Sequence, residues 1–147
     1  MMNKSIQDDG ANGSIQFINV VAAVIRDDKN RFLIAKRKAC QSNGGLWEFP
    51  GGKVEQGETE KEALVREIRE ELGVKILVLK FLKCTIYKYP NKTITLYSYY
   101  CEIVEGTPTN IEHDEIRFVP LSDFDKYEFS GANKETIELL QNQLFIL

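Results

Sequence analysis

Three glutamates, Glu67, Glu70 and Glu71, lie within five consecutive residues. In a helix, residues three and four positions apart share one side, because each residue turns the chain by about 100°. Like charges at these spacings repel by a few tenths of a kcal/mol per pair, so a cation is expected nearby. Magnesium prefers oxygen ligands and completes its shell with water and phosphate oxygens. The spacing therefore suggests a magnesium site for phosphate chemistry, in which a metal-bound water loses a proton more easily.

A plain surface helix is the alternative interpretation of the same glutamates. In that case they would form ion pairs with the basic residues of the segment, Lys61, Arg66 and Arg69. Relative to Leu64, Glu67 and Glu71 border the apolar stripe of the helix, whereas Glu70 lies farther round. The spacing alone leaves both interpretations open.

The helix itself is predicted from its two ends. Thr59 and Glu62 form a capping box, in which each side chain accepts a hydrogen bond from the other residue's amide. Gly73 follows the last apolar turn and can adopt the left-handed conformation that ends a helix. A helix from Glu60 to Leu72 follows.

The rest of the chain is rich in predicted strands. Residues 17–26 and 31–38 are rich in β-formers and flank an Asp-Asp-Lys-Asn turn, which predicts a β-hairpin whose first strand is central in its sheet. Two long segments, 74–89 and 92–104, are predicted to pair across Pro90–Asn91. A short strand over 115–120 and a helix over 133–145 complete the pattern.

Composition restricts the class of protein. A chain of 147 residues with net charge −3 fits one globular domain, predicted over residues 17–147 after a polar, flexible tail at 1–16. The charge does not favour binding to a nucleic-acid polymer, and no apolar run approaches the ~18 residues of a membrane span. Three widely spaced cysteines suit a reducing compartment and are predicted to be buried thiols. We therefore expect a cytoplasmic protein, either monomer or homodimer.

The segment from Gly52 to Val74 resembles the Nudix box. This signature is Gly, five residues, Glu, seven residues, then Arg-Glu-apolar-any-Glu-Glu-any-Gly-apolar, and every position matches. The matching residues are Gly52, Glu58, Arg66, Glu67, Ile68, Glu70, Glu71, Gly73 and Val74. Seven fixed letters would match by chance with a probability on the order of 10⁻⁸ per starting point.

The resemblance covers about residues 17–144 and is greatest to MutT-type enzymes. It implies an α+β fold, an α/β/α sandwich around a mixed β-sheet, with one to three bound Mg²⁺ ions, for which Mn²⁺ can substitute. Besides the three box glutamates, it places the backbone of Gly51 and Gly52 beside the metal. It also implies a further metal-binding or base carboxylate in a later loop, for which Glu112 is the best match although Asp114 and Glu115 are close.

The resemblance implies substrate contacts and orienting residues as well. Arg37 and Lys53 correspond to phosphate contacts, while Glu58 and Arg66 correspond to an ion pair that orients the loop and the helix. Asn133 matches an asparagine that binds a purine base, although it could instead cap the last helix. The lone histidine, His113, is interpreted as a loop residue.

The expected activity is hydrolysis of a (deoxy)nucleoside triphosphate, such as the oxidised purine nucleotide 8-oxo-dGTP, to monophosphate and pyrophosphate. Either Glu67 or Glu112 would deprotonate the attacking water. One alternative keeps the box but changes the nucleotide substrate to ADP-ribose, another nucleoside diphosphate derivative or a dinucleoside polyphosphate. The other alternative is a catalytically silent nucleotide-binding module, which the intact set of box glutamates disfavours.

Overall fold

The computed structural model describes residues 14–143, which form seven strands and two α-helices in the order β1 to β4, α1, β5 to β7, α2. The strands are β1 Gln16–Ile25, β2 Arg31–Lys36, β3 Trp47–Glu48, β4 Gly51–Lys53, β5 Lys75–Tyr89, β6 Lys92–Glu105 and β7 Glu115–Pro120. The helices are α1 Glu60–Leu72 and α2 Lys134–Asn142, with short 3₁₀ helices at Leu121–Lys126 and Gly131–Asn133. The flexible tail predicted for 1–16 lies mostly outside the described residues, and β1 begins at Gln16.

The strands form two sheets. The first has the order β4-β1-β6-β5, and it is mixed because β1 runs parallel to β6 whereas the other pairs are antiparallel. The second has the antiparallel order β3-β2-β7. The predicted β1–β2 hairpin is therefore wrong: the two strands belong to different sheets and share one isolated bridge, Arg26 with Phe32. The other predictions for these strands are confirmed, since β1 is an interior strand and β5 pairs with β6.

The reason for the wrong hairpin lies in the burial of β1 and β2. A strand in a hairpin with one solvated face alternates between apolar and polar residues, whereas these strands bury residues on both faces. In β1, Ala22 and Val24 belong to one core cluster and Val21, Ala23 and Ile25 to the other. A continuous apolar run thus indicates a central layer but does not identify its partner strands.

The two helices cover opposite sides of this layer. Leu64, Ile68 and Leu72 of α1 lie in one core cluster, and Ile137 and Leu140 of α2 lie in the other. The result is the predicted three-layer α/β/α arrangement with a mixed sheet. The second helix starts at Lys134 rather than at Asn133, and it ends at Asn142, before the end predicted at residue 145.

The three cysteines differ in burial. Cys101 is buried, but Cys40 and Cys84 are exposed, so the prediction of three buried thiols is wrong for two of them. Among residues 14–143, no helix has the length and apolar character needed to cross a membrane.

Candidate active site

Helix α1 forms one wall of the site, and its ends have the predicted geometry. The amide of Glu62 donates to Thr59 Oγ1 at 3.1 Å, and the amide of Thr59 donates to Glu62 Oε1 at 2.9 Å. Gly73 ends the helix with a φ of 70°, a conformation that glycine adopts without strain. These caps fix the helix over the span that places its glutamates on one flank.

The three glutamates of α1 differ in their surroundings. Glu71 is buried, with 6% of its surface exposed, and its Oε1 has no hydrogen-bond partner among the described residues. The side chain of Glu67 is 15% exposed, whereas that of Glu70 is 51% exposed. The order of burial agrees with the helical geometry, since Glu67 and Glu71 border the apolar stripe.

The negative charge at Glu71 is poorly solvated. Burial, together with the nearby charges of Glu67, Glu48 and Glu112, raises the pKa of Glu71 to about 10. A buried carboxylate that has one oxygen without a partner and other carboxylates around it is costly in the absence of a cation. This arrangement of oxygen donors fits a hard divalent ion.

Arg66 connects the glutamates of the helix to the preceding loop. Its Nε and Nη2 donate to the Glu58 carboxylate at 2.6 and 2.9 Å, and Nη2 also donates to the carbonyl of Lys53 at 3.1 Å. Its Nη1 contacts Glu67 at 2.9 Å and Glu70 at 3.4 Å. The bond from Arg66 lowers the pKa of Glu58 to about 2. The predicted Glu58–Arg66 pair is thus present, and it fixes Glu67 as well.

Two adjacent glycines on β4 bring the backbone close to this carboxylate. A Cβ atom on Gly52 would lie 2.3 Å from Cδ of Glu67, so the helix side chain occupies the space that any other residue would need. A Cβ on Gly51 would lie 1.9 Å from the carbonyl oxygen of Val21 on β1. The missing side chain of Gly52 therefore leaves space for the Glu67 carboxylate, and the missing side chain of Gly51 leaves space for the backbone of β1.

Glu48 is a site residue that the sequence analysis missed. It follows Trp47 in the short strand β3, and its carboxylate accepts from Arg37 Nη1 at 3.3 and 3.4 Å. His113 Nε2 lies 3.0 Å from Glu48 Oε2. The available signal was a charged residue inside the apolar segment LWEFP, next to the two glycines.

Glu112 lies in the loop between β6 and β7 and is exposed. The amide of the preceding Ile111 donates to the carbonyl of Glu71 at 3.2 Å, and the charge of Glu112 is the smallest of the named effects that raise the pKa of Glu71. The neighbouring Glu115 instead forms an ion pair with Arg117. Among Glu112, Asp114 and Glu115, Glu112 is the residue whose charge raises the pKa of Glu71, so it is the best supported of the three.

These residues surround a central cavity with an acidic end and an apolar end. The predicted site residues that line it are Arg37, Gly51, Gly52, Lys53, Glu67, Glu71 and Asn133. Its apolar wall includes Ile18, Phe49, Tyr89, Ile94, Leu96 and Ala132. Glu58, Arg66, Glu70 and Glu112 lie outside its lining. Within residues 14–143, no group of three or more acidic, thiol or imidazole side chains stands in metal-binding geometry.

Asn133 lies at the apolar end and is 5% exposed. Its side chain makes no capping bond to α2, so the capping interpretation is wrong. Instead Oδ1 accepts from the amide of Phe49 at 3.2 Å, and Nδ2 donates to Ser130 Oγ at 2.7 Å. Both bonds fix the orientation of the amide, which retains one donor and one acceptor position for another group.

Lys92, at the start of β6, adds a further cation that the sequence analysis missed. It lines the cavity and stands 5.5 Å from the ring centre of Tyr89. Burial and the positive charges of Arg37 and Lys53 lower the pKa of Lys92. Three cations thus border the cavity, which suits an anionic ligand. No local sequence motif distinguishes Lys92, because only the pairing of β6 with β1 brings it to this position.

Known proteins match most of the length of this chain. The profile of the NUDIX domain matches residues 16–140. The 8-oxo-dGTP diphosphatase of Escherichia coli (strain K12) is 32% identical over 124 residues, which are 84% of this chain and 96% of that protein. The CTP pyrophosphohydrolase of the same organism is 34% identical over 84% of this chain and 91% of its own length.

A solved structure gives the same result. The solution structure of the E. coli ORF135 protein superposes with a TM-score of 0.76 and 33% identity, and the match covers 90% of this chain and 94% of that one. The complete Nudix box, the carboxylates gathered at α1 and the three-layer fold all agree with these matches. The chain belongs to the NUDIX domain family, whose members generally use divalent metal ions.

Proposed function

We propose that this chain is a magnesium-dependent pyrophosphohydrolase of (deoxy)nucleoside triphosphates, releasing the monophosphate and pyrophosphate. The observation that supports it best is the two-ended cavity, in which Glu67 and Glu71 lie at the acidic end and Asn133 at the apolar end. A triphosphate with its base spans these two kinds of surface. Arg37 and Lys53 border the cavity and would neutralise phosphate oxygens.

The metal would be bound by Glu67, Glu70, Glu71 and Glu112, with the backbone of Gly51 and Gly52 beside it. The unpartnered Glu71 Oε1 and the concentrated negative charge support this assignment. When bound, the ion polarises phosphate oxygens and lowers the pKa of water. Glu70 would turn from Arg66 toward the ion. Mn²⁺ has the same preference for oxygen ligands and is expected to substitute.

The chain's own side chains would then position and activate the reactants. Glu67 or Glu112 would accept the proton of the attacking water, and that water would attack one of the two phosphorus atoms of the α–β phosphoanhydride, so that the P–O bond to the bridging oxygen breaks and the monophosphate and pyrophosphate are released. Glu58 would act through Arg66, whose guanidinium fixes the Glu67 carboxylate. Arg37, oriented by Glu48, would bind the phosphates.

Base recognition is assigned to Asn133. Its amide is fixed by Phe49 and Ser130, so donor and acceptor positions are presented in one orientation rather than two. Such a fixed pattern discriminates between bases. An oxidised purine such as 8-oxo-dGTP is the first candidate, and CTP is the second, because the two E. coli relatives act on these bases by name.

A substrate panel tests the activity. It contains 8-oxo-dGTP, dGTP, CTP, ADP-ribose and a dinucleoside polyphosphate, each with Mg²⁺ or Mn²⁺. We expect pyrophosphate from at least one triphosphate. Preferential cleavage of ADP-ribose or of the dinucleoside polyphosphate would support that substrate class instead, and no hydrolysis across the panel would support a silent binding module.

Variants of the α1 glutamates test the site. We expect Glu67→Gln and Glu71→Gln to lose most activity while remaining folded. Glu138→Gln is a matched control, since Glu138 is exposed on α2. Wild-type turnover in both box variants would refute the metal assignment.

A further inference from the structure

The loop that contains Glu112 is anchored to the site by its backbone on both sides. The amide of Ile111 donates to the carbonyl of Glu71 at 3.2 Å, and the amide of Asp114 donates to the carbonyl of Lys36 at 2.9 Å. Glu112 and His113 are the two residues between these anchors. Glu112 is exposed, so its own contacts do not explain how its carboxylate is positioned.

His113 provides a third anchor through its side chain. The ring is only 7% exposed, unlike a solvated loop histidine, and Nε2 lies 3.0 Å from the Glu48 carboxylate. A carboxylate oxygen accepts, so Nε2 carries the proton and donates. The other ring nitrogen, Nδ1, is buried and lacks a partner among the described residues. The ring therefore has one side-chain bond among the described residues, the one to Glu48.

Glu48 is a rigid point of attachment. It follows the buried Trp47, and β3 pairs with β2 in the second sheet. The same carboxylate also contacts Arg37, a predicted phosphate contact. Glu48 lines the cavity, so the bond from Nε2 joins the loop of His113 to the cavity wall.

We infer that His113 is a positioning residue for hydrolysis: its bond to Glu48 fixes the Glu112 loop at the acidic end of the cavity. This inference rests on the proposed function. It assigns His113 no contact with the substrate, and the ring is absent from the cavity lining. The loss of its bond should therefore change kcat and leave KM close to the wild-type value.

Two substitutions of His113 separate the ring bond from general packing. Glutamine places an amide nitrogen near the position of Nε2, whereas asparagine is one carbon shorter and cannot reach Glu48. We expect His113→Asn to lower kcat by about 10- to 100-fold, the usual cost of losing a group that orients a metal ligand. His113→Gln should restore most of that loss. In a Glu112→Gln background, His113→Asn should have little further effect.

Measurements on the metal-free protein test the anchoring without activity. Because His113 is the single histidine of the chain, the imidazole ¹⁵N signals of tag-free protein report its tautomer without ambiguity. We expect the Nε2–H form. Amide exchange at Ile111 and Asp114 should be about tenfold faster in His113→Asn than in His113→Gln, as expected for losing a bond to a charged group.

The outcomes distinguish the inference from the proposed function. If the wild type hydrolyses nucleotides but His113→Asn matches it in kcat and in amide exchange, the inference is overturned. Equal losses of kcat in both variants with equal losses in Tm would also overturn it, because His113 would then act only in packing. If the wild type hydrolyses nothing, the proposed function fails, and the exchange and ¹⁵N data still decide whether His113 anchors the loop.

Discussion

The pair of adjacent glycines on β4 gives a prediction with a magnitude. A Cβ added to Gly52 would lie 2.3 Å from Cδ of Glu67 and 2.4 and 2.6 Å from its two carboxylate oxygens. Carbon atoms in contact are separated by about 3.5–4.0 Å, so the carboxylate of Glu67 must move by roughly 1.2–1.7 Å. The carboxylate ends a flexible side chain, and the surrounding fold can therefore adapt to its movement.

The Gly52→Ala variant should consequently fold but hydrolyse nucleotides slowly. A misplacement of about 1 Å in a catalytic group costs on the order of 10²-fold in rate. We expect kcat for the preferred triphosphate to fall by about that factor. Thermal unfolding should shift less than for a clash with backbone, because the displaced group is the end of a side chain.

Gly51→Ala is the matched comparison. Its Cβ would lie 1.9 Å from the carbonyl oxygen of Val21, in the backbone of a buried strand that cannot rotate away. Overpacking of this kind costs about 1–3 kcal/mol, and each kcal/mol lowers Tm by about 2–4 °C in a chain of this size. We expect a Tm loss of about 2–12 °C, measured by circular dichroism.

The two glycine variants are compared in both thermal stability and activity. Parallel melts and steady-state kinetics would show whether the damage at Gly52 lies in activity and the damage at Gly51 in stability. The claim under test is that the Glu67 carboxylate occupies the space beside Gly52. It would be refuted if Gly52→Ala kept the wild-type kcat, or if its Tm fell as much as that of Gly51→Ala.

Three further predictions follow from single side chains. Arg66→Lys should lower kcat by about 10- to 100-fold, since a lysine cannot make the paired bonds to Glu58; kinetics matching the wild type would contradict this. In the folded, metal-free protein the pKa of Glu71 is about 10, above its usual 4.5. Between these two pKa values the folded protein binds a proton that the unfolded chain lacks, so the free energy of unfolding falls as the pH rises from 4.5 to about 10. In a chelator at about pH 8, Glu71→Gln should therefore have a higher Tm than the wild type, and the difference should vanish near pH ~4. Equal Tm values for the two proteins at both pH values would refute the raised pKa of Glu71. Asn133→Ala removes the acceptor for the buried Phe49 amide, so it should raise KM for the preferred nucleotide and lose about 1–3 kcal/mol of unfolding free energy; a melt equal to that of the wild type would argue against that bond.

The sequence by itself determined the local structure around the box. The capping residues Thr59 and Glu62 and the stop at Gly73 interact only with near neighbours, so their pattern predicted α1 at both ends. Helical geometry then predicted which glutamates border the core. The fold class followed from the family resemblance.

The tertiary structure decided what depends on residues far apart in the chain. The pairing of β1 with β6 is parallel, and no local turn signals such a pairing, so the predicted β1–β2 hairpin was wrong. The same pairing brings Lys92 to the cavity, and the meeting of β3 with the loop before β7 joins Glu48 to His113.

The role of Asn133 also depends on a long-range contact that local sequence does not predict. Its position before α2 favoured both a capping and a binding interpretation. Only the contact with Phe49, 84 residues away in sequence, showed that the amide is turned away from the helix end. Local hydrogen bonds can be predicted from spacing, whereas long-range contacts depend on how the layers pack, and most residues of this site are brought together by such contacts.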